Sequence, residues 1–181
     1  MEEHVYVLDV IQDRKETLCY TVGEDGFRLL ELVLKPNASV NIGEKVYVGK
    51  DPALRDHVAS VKRRIGYGGL SNGAKRELEY VITDIVMADQ SRFIRFFNIA
   101  EPISMKKHLL EELPGLGKKT MNSILAERDK TVDGKKVREN FVDFSDLAKR
   151  CGIKNPEGYL VKRIVEELED DTKKRYIFVV K

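Results

Sequence analysis

The sequence predicts an α+β protein in which a small β-barrel with flanking helices precedes a helical domain. The first fifty residues contain short runs of β-branched and aromatic residues that are separated by turn residues. From Asp51 onward the composition changes, and apolar residues recur at helical spacing in longer segments. We therefore expect a barrel with a helical extension over residues 1–100 and a second domain over residues 101–181.

The predicted barrel contains four strand-like runs joined by turns, of which Gly23–Gly26 is the clearest. The runs are Val5–Ile11, Thr17–Val22, Phe27–Leu34 and Val46–Gly49. Strands of this length and spacing are typical of a small barrel. The segment Ile42–Val48 resembles the turn and strand of many OB-fold proteins, although an SH3-like barrel fits the pattern nearly as well. An OB-like barrel binds through aromatic residues on one face, and fewer than half of the candidates, Tyr6, Tyr20, Phe27 and Tyr47, are expected to face a ligand.

Helical spacing predicts most of the remaining chain. The expected helices are Ala74–Met87, Arg92–Ala100, Met105–Leu113, Lys118–Arg128, Phe144–Arg150 and Glu157–Glu169. The polar stretch Lys130–Asn140 is interpreted as a connecting loop. The apolar end Arg175–Lys181 predicts a strand, which we expect to return to the barrel or to its flanking helices.

Composition limits the kinds of site the chain can hold. The 181 residues carry a net charge of +2, with 42% hydrophobic and 34% charged residues, as in a soluble globular protein. Cys19 and Cys151 lie far apart and are expected to be reduced thiols, and three scattered histidines predict no metal site. The chain shows neither a signal peptide nor an apolar run long enough for a membrane span, so a cytoplasmic location is expected. The motifs in the sequence also lead us to expect no cofactor.

The segment Leu113–Lys119 is the most informative motif. Pro114 ends the preceding helix, and Gly115 and Gly117 permit a tight reversal. Leu116 is expected to fill the space between the helices. The free amides at the start of the next helix form an anion site with Lys118, Lys119 and the Thr120 hydroxyl. None of these groups reads a base edge, so the predicted contact is with phosphate and is independent of sequence.

This segment resembles the helix-hairpin-helix family over about twenty residues, Leu109–Arg128. The resemblance implies binding to the backbone of DNA or, less often, RNA, although an ordinary αα-hairpin has a similar turn. A P-loop is excluded, because Lys119 follows Gly117-Lys118 where Ser or Thr is required. Residues Leu147–Leu168 resemble a weaker second copy with one hairpin glycine, Gly152, and with Lys154 as a further candidate phosphate contact.

A second basic surface is predicted before the first long helix. Lys62, Arg63 and Arg64 precede Tyr67 in a glycine-rich loop, and arginines pair with phosphates while an exposed tyrosine stacks on bases. The alternative interpretation is a solvated helix end followed by a loop. His108 lies near the hairpin and is expected to be an ordinary surface residue.

Over nearly its full length the chain resembles the DUF655 family, a small and mostly archaeal family. The resemblance rests on Leu29–Leu32, Val61–Tyr67, Ala74–Val86, Phe93–Ala100 and Leu109–Arg128. It implies an OB-type barrel followed by helix-hairpin-helix units, and with them a nucleotide- or nucleic-acid-binding role. It implies no particular reaction.

These observations predict a non-enzymatic nucleic-acid-binding protein, with RNA slightly preferred over DNA because a barrel precedes the hairpins. One alternative is a helix-hairpin-helix DNA glycosylase or lyase with Lys119 as its nucleophile. That family also needs a downstream carboxylate, but Asp133 lies closer in sequence than the pattern expects and the cysteine cluster of the iron–sulfur members is missing. The other alternative is a module that docks a protein such as a ribosomal or transcription component.

Overall fold

The computed structural model describes all residues from 1 to 181 and confirms a mixed α+β fold with a five-stranded antiparallel sheet and five α-helices. The chain forms two compact units. The first comprises residues 1–82 and 164–181, and the second comprises residues 83–163. This division differs from the predicted boundary at residue 100, because the second predicted helix belongs with the hairpins and the C-terminal segment belongs with the sheet.

The sheet of the first unit is built from β1 to β5, which are His4–Gln12, Thr17–Gly23, Leu29–Leu34, Lys45–Tyr47 and Val58–Arg64. Their spatial order is β4-β1-β2-β3-β5. The first four strands therefore form a Greek key, in which β4 returns beside β1. The four predicted strands are present. The interpretation of the basic segment as a helix end is wrong, because Val58–Arg64 pairs with β3 along the sheet edge.

One face of this sheet is covered by an aliphatic core in which Val5, Val7 and Leu32 are completely buried. Cys19 lies in the same core, and burial raises the pKa of its thiol to about 12. Cys151 is half-buried, and both cysteines are free thiols as predicted. Phe27 is also fully buried, which removes it from the candidate aromatic contacts.

Two buried carboxylates fix the ends of the chain in the first unit. Glu2 accepts hydrogen bonds from the amides of Asp25 and Gly26, at 2.9 and 3.0 Å. Glu167, which is fully buried, accepts three backbone N–H groups at 2.8, 3.0 and 2.9 Å, from Ile177, Phe178 and Val179.

The predicted C-terminal strand is therefore wrong, because these amides bond to a side-chain carboxylate and not to a neighbouring strand. The segment does return to the sheet unit, as expected. The Val180 amide donates to the carbonyl of Gly26 at 3.0 Å.

Five helices complete the fold: α1, Asn72–Ala88; α2, Gln90–Ile99; α3, Lys118–Arg128; α4, Phe144–Cys151; and α5, Pro156–Glu169. Five of the six predicted helices correspond to them. The sixth, Met105–Leu113, is wrong. Its residues form part of a hairpin of β6, Pro102–Ser104, and β7, Lys107–His108, followed by a single 3₁₀ turn over Leu109–Glu112.

The predicted loop Lys130–Asn140 is also a hairpin, with β8 at Asp129–Val132 and β9 at Lys135–Arg138. The second unit, which was expected to be helical, therefore contains two short β-hairpins in addition to its helices. None of the five helices has the length and apolar character needed to cross a membrane.

We expect Glu167→Gln to lower the free energy of unfolding by about 2 kcal/mol, since a charged acceptor of three buried amides is replaced by a neutral amide with one acceptor oxygen. Urea denaturation measures the change. Trypsin should also cleave faster after the exposed Lys174. Glu3→Gln at an exposed position is the matched control. Equal midpoints for the two variants would contradict this role of Glu167.

Candidate nucleic-acid interface

The hairpin Leu113–Lys119 reverses the chain in two short steps. The Leu113 amide donates to the Leu110 carbonyl at 3.1 Å, and the Leu116 amide donates to the Leu113 carbonyl at 3.2 Å. Gly115 lies between them with φ +78°, a conformation that favours glycine. Leu116 is 7% exposed and Leu113 is 2% exposed, so both leucines fill the space inside the hairpin as expected.

The start of α3 is left without a side-chain cap. Gly117 occupies the N-cap position in an extended conformation and has no side chain to offer. The first helical bond runs from the Met121 amide to the Gly117 carbonyl at 2.9 Å. The amides of Lys118, Lys119 and Thr120 therefore have no acceptor in the chain. Three N–H groups at the positive end of a helix dipole form an anion-binding geometry.

The predicted lysines lie beside these amides. Lys118 and Lys119 are exposed and form no ion pair, while Thr120 is half-buried on the first turn. The nearby acid Glu112 is neutralised within the unit, since Lys107 contacts it at 2.6 Å and Arg163 at 3.2 Å. The two lysines of the hairpin are therefore unpaired, and the negative charge of Glu112 is already balanced by Lys107 and Arg163.

The second hairpin repeats part of this geometry. Gly152 ends α4 in the left-handed conformation with φ +67°, and the Ile153 amide donates to the Ala148 carbonyl at 3.1 Å. Each hairpin thus places an aliphatic residue directly after a positive-φ glycine. Lys154 is exposed, but α5 begins at Pro156, which has no N–H to offer. The second hairpin has fewer free amides than the first.

Polar bonds join the two hairpins inside the second unit. The Ser123 hydroxyl on α3 donates to the Cys151 carbonyl on α4 at 3.4 Å. The Arg150 guanidinium on α4 donates to the Glu127 carbonyl on α3 at 2.7 Å. Arg163 on α5 donates to the Glu112 carbonyl at 3.1 Å, just before the first hairpin. These bonds fix α3 against its neighbours.

Arg128, at the end of α3, is 1% exposed. Its guanidinium donates to the carbonyls of Phe97 and Ala100 at 3.0 and 2.7 Å, and it pairs with Asp129 at 2.8 Å. It therefore caps the C-terminus of α2. Arg128 was predicted only as the last residue of the helix Lys118–Arg128, with no function assigned to it.

His108 is 8% exposed, so the expectation of a surface residue is wrong. Its Nδ1 accepts the Leu110 amide at 3.1 Å, and Glu111 completes the capping box by accepting the His108 amide at 2.6 Å. Burial, with a smaller effect from the Arg128 cation, lowers the pKa of His108. The neutral form therefore holds the turn that leads into the hairpin.

The second predicted basic surface belongs to the first unit, and its cations already have partners. Lys62 pairs with Glu16, Arg63 pairs with the buried Glu31, and Arg64 donates to the Val180 carbonyl at 3.0 Å. Tyr67 is half-buried and lies under Lys75, whose Nζ is 5.1 Å from the ring centroid. Burial and a hydrogen bond with Glu169 raise the pKa of Tyr67. The geometry favours structural roles for these residues.

Charge is distributed unequally between the two units. The unit of residues 83–163 contains sixteen Lys and Arg against twelve Asp and Glu, a net charge of +4. The remaining residues contain sixteen against eighteen, a net charge of −2. The excess of positive charge therefore lies in the unit that contains the two hairpins.

One basic element, the β8–β9 hairpin, was not predicted from the sequence. Asp133 and Gly134 form its turn with φ +50° and +74°, and Asp-Gly between strand residues is the typical type I′ signal. Lys135 and Lys136 follow the turn and are exposed. No group of three or more His, Cys, Asp or Glu residues is arranged to hold a metal ion.

Together these features define a two-unit α+β protein that combines a Greek-key sheet with paired glycine hairpins. The chain belongs to the DUF655 family, described as "Protein of unknown function (DUF655)", whose model matches residues 1–180. It is 38% identical over 185 residues to uncharacterized protein MJ0038 of Methanocaldococcus jannaschii, covering 99% of this chain and 80% of that protein.

A solved relative shares the fold. The crystal structure of Af1531 from Archaeoglobus fulgidus superposes with a TM-score of 0.87 at 36% identity, covering 99% of this chain and 100% of the other. These matches confirm the predicted family.

We expect His108 to make stability depend on pH. Because its pKa is lowered in the folded state, the unfolded chain binds the proton first as pH falls. Its contribution is complete above the unfolded pKa of about 6.5 and is lost as pH falls below that value.

His108→Asn keeps a side-chain acceptor for the Leu110 amide but does not titrate. Between about pH 7.5 and about pH 5.5 the wild type should lose more of its free energy of unfolding in urea than this variant. His4 and His57 are present in both proteins, so their effects cancel. Identical pH dependence in the two proteins would contradict this role of His108.

Proposed function

We propose that this protein binds nucleic acid without catalysing a reaction and holds the phosphate backbone through the hairpin at Gly115–Lys119. The observation that carries the proposal is the uncapped start of α3. Three amides without acceptors, from Lys118, Lys119 and Thr120, lie with two free ammonium groups at the positive end of one helix. A phosphate accepts from both kinds of donor. No donor in the set reads a base, so this contact is independent of sequence.

The paired hairpins support a helix-hairpin-helix arrangement. Both contain a positive-φ glycine followed by an aliphatic residue, and both lead into a helix. The first element of the first hairpin is a single 3₁₀ turn, Leu109–Glu112, where the family pattern implies a full helix. The phosphate-binding part of the motif consists of the turn and the following helix, and this part is unaffected.

The sheet of the first unit supports an OB-like barrel. Its β4-β1-β2-β3 order is a Greek key, and an OB-fold is a five-stranded and partly open Greek-key barrel. Tyr6, Tyr20 and Tyr47 are half-buried and keep part of their rings accessible. Such barrels bind single strands or structured RNA, and this was the reason for the slight expectation of RNA.

The geometry does not favour the lyase alternative. Lys119 lies on the first turn of α3, whereas Asp133 lies in the turn beyond the last residue of the same helix. Nine residues of helix, Thr120–Arg128, and the strand β8 lie between them, and no hydrogen bond or ion pair joins Lys119 to Asp133. Borohydride trapping on abasic DNA tests this point, and a covalent adduct that is lost in Lys119→Ala would overturn the non-enzymatic proposal.

Replacing Lys118 and Lys119 together with Glu should weaken binding to any nucleic acid by about tenfold or more and reduce the slope of log K against log salt by about two units. The variant should remain folded, because carboxylates are favourable in the first turn of a helix. Fluorescence anisotropy over a salt series measures both quantities.

The matched control is Lys50→Glu with Lys174→Glu, which makes the same change in charge at exposed positions of the first unit. Affinity equal to wild type for the hairpin variant would remove the hairpin from the interface. If the wild type binds no nucleic acid even at low salt, the protein-docking alternative is favoured.

A further inference from the structure

The β8–β9 hairpin, residues Asp129–Arg138, is here called the ribbon. Its strands pair from Asp129↔Arg138 to Val132↔Lys135 around a two-residue turn. Four residues per strand give a ribbon about 13 Å long. Every residue from 131 to 140 is exposed, so the ribbon projects from the second unit.

The base of the ribbon is held firmly. Arg138 contacts Asp129 at 3.0 Å and Glu101 at 2.8 Å. Lys130 contacts Glu127 at 3.1 Å and Glu139 at 3.2 Å. These charges satisfy one another, and the Glu139 amide donates to the Arg128 carbonyl at 2.8 Å, so the base of the ribbon is joined to the end of α3.

The tip, residues Thr131–Lys136, is different. Lys135 and Lys136 form no ion pair, and Asp133 is its one acidic residue. Val132 is 53% exposed on the same face as its partner Lys135, because directly paired residues point to one face of a ribbon. Thr131 and Lys136 share the opposite face. The tip is therefore exposed, cationic and partly apolar, whereas the charges at the base are paired.

We propose that the tip of the ribbon enters the major groove of double-stranded DNA while the hairpin at Gly115–Lys119 holds a backbone phosphate of the same duplex. This inference rests on the nucleic-acid-binding function proposed above. The major groove of B-form DNA is about 12 Å wide and admits a two-stranded ribbon. The major groove of A-form RNA is deep and narrow and excludes side chains.

The hairpin lies at the start of α3 and the ribbon is attached to its end, about 16 Å away, with the tip about 13 Å beyond its base. The two contacts are therefore no more than about 29 Å apart, which is within one turn of a duplex, roughly 34 Å. The chemistry of the tip also suits base edges. A lysine donates to the acceptors of guanine, and an aliphatic side chain such as Val132 contacts the methyl group of thymine. The ribbon thus adds a sequence preference that the hairpin alone does not supply.

The test compares a DNA duplex of about 20 base pairs, roughly two helical turns, with an RNA duplex and a single strand of the same sequence. Wild type should bind the DNA duplex at least about tenfold more tightly than the RNA duplex. Lys135→Ala with Lys136→Ala should remove most of that difference, because the substitutions alter exposed residues and leave the hairpin and the base of the ribbon unchanged.

Two further variants isolate the ribbon. Val132→Ser should reduce the differences in affinity among DNA duplexes of different sequence, because it removes an apolar contact. It should leave the slope of log K against log salt unchanged, because it removes no charge. Lys50→Ala with Lys174→Ala is the control for the loss of two exposed lysines and should bind as wild type does.

The measurements separate failure of the ribbon proposal from failure of the nucleic-acid-binding function itself. Equal binding of DNA and RNA duplexes by the wild type, or unaltered duplex binding by the double ribbon variant, overturns the ribbon proposal. If Lys118→Glu with Lys119→Glu still weakens binding in that case, the function proposed above stands alone. If the wild type binds none of the three probes, both proposals are overturned.

Discussion

The buried guanidinium of Arg128 joins three elements of the second unit. It caps the last carbonyls of α2, it ends α3, and it pairs with Asp129 at the start of the ribbon. Removing one partner of a buried charge network costs about 3–5 kcal/mol, because the remaining groups lose their bonds without regaining water. The orientation of α3 therefore depends on Arg128. The spacing between the first glycine hairpin and the ribbon depends on it too, since the two are attached to opposite ends of α3.

The acidic residues of the second unit form a second constraint. Arg138 holds Glu101 and Asp129, and the same cation lowers the pKa of Glu101 by hydrogen bonding. Lys130 pairs with Glu127 and Glu139 in the same way. These pairs lie around the base of the ribbon. The cations left without partners then include the lysines of the hairpin, of the tip and of the second hairpin: Lys118, Lys119, Lys135, Lys136 and Lys154. The unpaired positive charge of the second unit is therefore concentrated at these lysines.

Local signals in the sequence were sufficient where local interactions decide the structure. The bounds of α3 were predicted correctly, because Gly117 and Arg128 mark its ends. The segment Met105–Leu113 was predicted wrongly, because its leucines serve a 3₁₀ turn that is capped by His108 and Glu111, and leucine spacing does not distinguish that turn from a helix. The C-terminal segment depended on Glu167, a partner about ten residues away whose burial no pattern revealed.

The candidate site was predictable to a similar extent. The residues proposed to form the phosphate site at the first hairpin could be named from the sequence, because glycine, proline and lysine each have a direct conformational or electrostatic role there. Lys62, Arg63 and Arg64 looked equally suitable by charge, but their carboxylate and carbonyl partners come from distant parts of the chain. Charge in a sequence thus indicates a binding surface only where folding leaves the charge unpaired.

The difference between the two hairpins bears on how tightly this protein can bind. At the second hairpin Pro156 replaces an N–H donor, so under the proposed function the pair would provide one full phosphate site and one partial contact through Lys154. A clamp that neutralises two or three phosphates gives only the weak affinity of non-specific binding, with a dissociation constant of about 10⁻⁴–10⁻⁶ M. Further affinity requires a contact whose position is already fixed, since ordering a flexible segment would cost entropy. The proposed ribbon contact would meet this requirement, because Arg128 and the ion pairs at its base attach the ribbon to the other end of α3.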